Sequence, residues 1–185
     1  MMSFNPQQTQ TKQFDYQLIE EGTYPARLAR ITELGVQSDM YAPDGKPRVV
    51  FSFTLPTLSV DVDGEAKQQM INTFPMNKSN NPDATVMKWA KALNSNATSW
   101  EDIIGKPCMV QVDNYKNKEG ELRHKISNVI KPMAGIEIAE PDCDSYVFDF
   151  DDPDMEVWAK LSEFRQNQIK QALNFEGSKL ASMVV

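Results

Sequence analysis

Acidic side chains crowd closest together in "YVFDFDDPD", Tyr146 to Asp154, where Asp149, Asp151, Asp152 and Asp154 interleave with Tyr146, Phe148 and Phe150. Four carboxylates at this spacing supply enough oxygen for a hard cation. The run lacks the glycine and the distal glutamate of a Ca²⁺ loop, however, and Pro153 interrupts it. A solvated acidic segment is the simpler reading, and no metal or other cofactor is expected. Nucleophilic chemistry is short of parts. His124 is the one histidine of the chain and falls in a predicted strand, while Cys108 opens an apolar strand and reads as a small core residue. Neither GxxxxGK[ST] nor GxGxxG occurs. The chain is expected to bind rather than to catalyse.

The elements that must position these residues follow from periodicity. Residues 1–17, rich in Gln and Thr, read as a flexible N-terminal arm. An extended segment opens at Gly22 and closes at Gly35. "RVVFSFTLP" alternates, with Val49, Phe51, Phe53 and Leu55 on one face. A D-G turn leads to a third strand, "QQMINTFPM". A helix follows, with Asn81 as its expected cap and a stripe of Val86, Trp89, Ala90 and Leu93. "GKPCMVQVDNY" and "GELRHKISNVI" then form a hairpin through "KNKEG". Five short strands with one helix between the third and fourth predict a mainly β, five-stranded OB-fold barrel over 18–134. Beyond it come an acidic linker or tail over 135–155, an amphipathic helix over 156–176 closing at Gly177, and a short end over 177–185.

Charge divides along the same lines. The formal total of −7 conceals 14 Lys/Arg against 12 Asp/Glu from Gly22 to Ala134, and 4 against 11 from Gly135 to Val185. On the hairpin, Cys108, Val110, Val112 and Ile126 are expected inward. Gln111, Tyr115, Arg123 and Lys125 then face out, beside Lys116 and Lys118 in the turn. Tyr41, Lys46 and Arg48 near the second strand, Phe74 and Lys78 after the third, and Arg27 on the first complete a candidate nucleic-acid-binding set. Phe74 leans toward the core in this reading. In OB-folds that bind single strands, cations track phosphates while aromatic rings stack on bases.

"EGTYPARLARITELGVQ", "GKPCMVQVDNYKNKEGELRHKISNVIKP" and "VFDFDDPDMEVWAKLSEFRQNQIKQ", in that order, resemble a family of bacteriophage and prophage single-stranded DNA-binding proteins. The likeness runs from about Gly22 to Gln171. Its most specific part is GTYPAR, and "HKISNV" departs slightly from the family pattern. It implies an OB-fold that protects single-stranded DNA during phage replication or recombination, without catalysis. It also implies an acidic tail element, with Phe148, Asp149, Phe150, Asp151, Asp152 and Asp154 offered to replication or recombination proteins; an acidic strap packed on the barrel is the alternative. The rival function is an acidic phage interaction protein, such as a DNA-mimicking inhibitor of a host enzyme. No secretory signal or membrane span is expected, which predicts the cytoplasm, and the exposed apolar residues at the C-terminal end suggest a homodimer.

Overall fold

The computed structural model describes residues 17–184; apart from Gln17, the expected arm lies outside them. Seven strands form one sheet: β1 (Gly22–Asp39), β2 (Ala42–Val62), β3 (Glu65–Asn72), β4 (Met76–Asn77), β5 (Pro107–Lys116), β6 (Leu122–Ile130) and β7 (Tyr146–Phe148). The main path runs β3-β2-β1-β5-β6, with β4 on β2 and β7 on β1. All pairings are antiparallel except β1 with β7.

β1 is the spine. Its first half, Gly22 to Arg27, pairs with β5, and from Arg27 onward it pairs with β2. Register shifts after Leu28 and Glu33 bend it between these partners. Gly35 sits in the second shift with φ +68°, a conformation that suits glycine.

The sheet does not close, which overturns the five-stranded OB barrel. β3 and β6 approach each other, but no ladder joins these two ends of the path. The physical reason lies just after β3. Thr73 donates its N–H to Phe51 and takes the Phe51 N–H on its hydroxyl, β4 pairs with Val49 and Arg48, and the Lys78 N–H reaches the Pro47 carbonyl. The chain thus keeps its hydrogen bonds on β2 and does not cross to β6. Without a closed barrel there is no barrel groove, so the resemblance to phage single-strand binders fails at the fold it implies. The reading built on that groove, phosphate neutralisation with base stacking, falls with it.

Two apolar layers flank the sheet. On one face, Leu28, Ile31, Phe51, Phe53, Leu55, Val110, Val112 and Ile126 pack against α1 (Thr85–Leu93), whose Val86, Trp89, Ala90 and Leu93 are buried as their spacing requires. The helix starts later than expected. Asn81 instead takes the Asp83 N–H on its side chain and the Ala84 N–H on its carbonyl, forming a turn ahead of α1. On the other face, Leu34 and Val50 are covered by Phe148, Phe150, Trp158, Leu161, Ile169, Ala172 and Leu180. This second layer explains why residues 49–55 of β2 are buried on both faces.

The expected helix over 156–176 is divided into α2 (Met155–Lys160) and α3 (Glu163–Lys170). Ser162, with extended backbone, caps α3 by accepting the Arg165 N–H, and buried Leu161 occupies the break. A third short helix, α4 (Lys179–Met183), seats Leu180 in the same layer. No helix among the described residues is long and apolar enough to cross a membrane.

Candidate binding face and a cleft beside Glu33

The β5–β6 hairpin closes at Lys116 and Leu122 around a turn in which the Asn117 side chain accepts the N–H groups of Glu119 and Glu121. Register places Tyr115 opposite Arg123 and Asp113 opposite Lys125. With Val110, Val112 and Ile126 in the core, this set lies on the other side. The Lys125 ammonium stands 5.7 Å from the Tyr115 ring centroid. Phe74, 59% exposed, meets Tyr115 edge to face at 6.2 Å between centroids. The residue expected to lean into the core is therefore a surface ring, because the turn that keeps Thr73 on Phe51 leaves Phe74 beyond the covered part of the sheet. Lys116 and Lys118 are exposed, Gln111 is half-buried, and Arg123 forms an ion pair with Glu121.

The other predicted contacts lie elsewhere, and three of their cations are engaged within the molecule. Arg27 donates to the Ile138 carbonyl at 2.8 and 3.0 Å and to Gly105 at 2.9 Å, with Glu140 3.2 Å away. Arg48 is held by Asp39 and Asn77. Lys78 lies 2.6 Å from Glu33. Lys46 is exposed, and Tyr41 is 91% exposed in the β1–β2 turn. Among the described residues, none of the hydrogen bonds or ion pairs of these side chains runs to the β5–β6 hairpin.

The acidic segment crosses the sheet as a strap. β7 pairs in parallel with Arg30 to Thr32, the Arg30 guanidinium stands 5.1 Å from the Tyr146 ring centroid, and the Gln68 N–H reaches Asp142. Phe148 is 0% and Phe150 4% exposed, so both rings belong to the second apolar layer. The aspartates between them organise local backbone. Asp149 accepts the N–H groups of Asp151 and Asp152, Asp154 caps α2, and Asp152 pairs with Lys179 at 2.6 Å. Lys179 holds the Asp152 carboxyl below the usual range.

Glu33 is the residue that sequence reasoning missed. It is 2% exposed on β1, receives the Trp100 indole N–H and the Phe150 amide at 3.3 Å each, and faces Lys78. Burial pushes its carboxyl above the ordinary value, with the Lys78 contact opposing and Asp149 adding to the rise. Its only sequence signal was an acid within a strand otherwise bound for the interior. Glu33, Asp149 and Asp151 bring carboxylate oxygens within 4.8 Å of one another. Beside them the Lys78–Asn80 loop, α1 and the loop before the 3₁₀ turn Trp100–Asp102 enclose a cleft of about 320 Å³.

His124 and Cys108 are both engaged in the fold. His124 Nδ1 accepts the Ile19 N–H at 3.0 Å, and its pKa is lowered by burial and by Arg123. Burial pushes the Cys108 thiol up to about 12.

No protein-family model matches the chain, and no curated protein does.

Proposed function

We propose that this protein is a non-catalytic, cytoplasmic binding protein whose β5–β6 face takes an extended, acidic and aromatic-bearing segment of a partner protein. The observation that carries the reading is the ring pair at this surface, exposed Phe74 against half-buried Tyr115, with Lys125 over the tyrosine. Aromatic rings that reach the surface beside cations are characteristic anchors of protein interfaces. Lys116 and Lys118 on the adjoining turn supply charge complementary to an acidic partner.

Charge pattern favours a peptide over a uniform polyanion. Asp113 stands opposite Lys125 and Glu121 pairs with Arg123, so cations alternate with acids. The molecule holds a segment of this chemistry elsewhere, through Arg30 on Tyr146, Arg27 beside Glu140 and strand pairing on β1. Two free cysteines support a reducing compartment.

The test is anisotropy of a labelled peptide copying residues 144–152, "DSYVFDFDD", titrated at two salt concentrations. Saturable, salt-weakened binding is expected. It should weaken at least about tenfold in Phe74→Ala/Tyr115→Ala and in Lys116→Glu/Lys118→Glu. Equal binding by wild type and both variants would overturn the assignment of this face. Binding of a thymidine oligonucleotide without binding of the peptide would overturn the choice of partner.

A further inference from the structure

A cleft beside Glu33 has features of its own, independent of the hairpin face. Met87, Ala90, Ala97 and Trp100 make an apolar wall, and the cavity of about 320 Å³ accommodates a small ligand. Three charged side chains line it. Lys78, the one cation, lies 2.6 Å from Glu33 and is largely neutralised by it. Glu101 and Asp149 are the two acids, and neither has a cation as an ion-pair partner among the described residues. Asp149 also carries the turn through the N–H groups of Asp151 and Asp152, which fixes its position at the edge of the cleft.

An apolar pocket with an indole in its wall and two carboxylates at its edge has the chemistry of an organic-cation site. The ligand's stem displaces water from the Met87–Trp100 wall, while its charge is compensated by the acids and attracted by the ring. A phosphate or carboxylate ligand would meet those acids directly, and Lys78 is committed to Glu33. The indole N–H is also committed, since it donates to Glu33 and locks the ring's edge. Further support comes from Phe51, whose ring packs edge to face on Trp100 at 5.7 Å between centroids. The wall is thus set before a ligand arrives, which reduces the ordering cost of binding.

We propose that this cleft binds an ammonium or guanidinium group on an apolar stem, presented by a free amine or by a lysine or arginine side chain. Agmatine, which carries both groups on a four-carbon stem, is the probe. Titration into the full chain is followed by calorimetry and by the NMR signal of the Trp100 indole N–H, assigned by Trp100→Phe. Saturable binding with a shift of that signal is expected, weakening about tenfold in Glu101→Gln/Asp149→Asn. Asn at 149 retains the oxygen that accepts the turn's N–H groups. Glu101→Gln, at an exposed position, decides the matter if the double variant unfolds.

The neutral analogue 1-pentanol should bind at least about tenfold more weakly than agmatine. Equal binding of pentanol, an unmoved indole signal, or full agmatine affinity in folded acid-neutralised variants would each overturn the proposal. Tighter binding by an arginine-containing tripeptide than by agmatine would support it and make a protein side chain the source; the reverse order would support it and make the source a free amine.

Discussion

Aromatic rings lie among charges in two regions of this molecule, and the fold treats them oppositely. In the strap, Phe148 and Phe150 are buried while Asp149 and Asp151 between and after them are not. In the hairpin region, Phe74 and Tyr115 remain at the surface among Lys116, Lys118, Arg123 and Lys125. The strap lies where β1 and β2 offer an uncovered apolar face, at Leu34 and Val50, and α2, α3 and α4 complete the cover. On the hairpin, the core takes Val110, Val112 and Ile126, and the opposite side of the strand pair carries the polar set. Composition is similar in the two places. What differs is whether another element is available to exclude water.

The largest effect should come from the buried rings. Phe148→Ala is expected to lower stability by about 3–5 kcal/mol, whereas Phe74→Ala, which loses an edge-to-face contact at the surface, should cost about 0.5–1.5 kcal/mol. Urea unfolding measures both, and equal costs would erase the distinction between strap and face. A smaller effect separates two glycines of the same handedness. A methyl at Gly35, φ +68°, would meet Phe150 at 2.7 Å and Ala172 at 2.9 Å, while one at Gly120, φ +77°, would meet nothing within 4 Å. Gly35→Ala should therefore cost about 2–4 kcal/mol, joining backbone strain to a clash with the strap, and Gly120→Ala about 1–2 kcal/mol from strain alone. Similar losses in the same urea experiment would mean that the strap yields readily.

The smallest effect is a pH dependence that sharpens the comparison at the joint between strap and sheet. Glu33 holds the Phe150 amide, and its folded pKa lies above the unfolded value. The folded state therefore retains a proton that the unfolded state releases. This contribution to stability is fully present below the ordinary glutamate pKa and is lost as pH rises through the higher folded value. Glu33→Gln should flatten that part of the stability–pH curve. An unchanged slope in the variant would remove Glu33 as its source.

Some of this was legible in linear order. The inward set Cys108, Val110, Val112 and Ile126 follows from period-two alternation, and the α1 stripe follows from the helical period, because each residue's side is set by local backbone geometry. The KNKEG turn and the two faces of its hairpin were legible for the same reason. Glu33 was not, since its partners Lys78, Trp100 and Phe150 are 45, 67 and 117 residues away along the chain. The cleft was equally hidden, being assembled from α1, two loops and the strap.

Sequence by itself determined the local matters: where the last hairpin turns, which side of its strands is apolar, and that acid collects toward the C-terminal end. Tertiary structure alone decided whether the strands closed, and they did not, because residues 73–78 direct their hydrogen bonds back to β2. It also decided that Phe148 is interior and Phe74 is not. Alternation assigns a ring to a side of the chain, but exclusion of water requires a second surface, and that surface comes from residues distant in sequence.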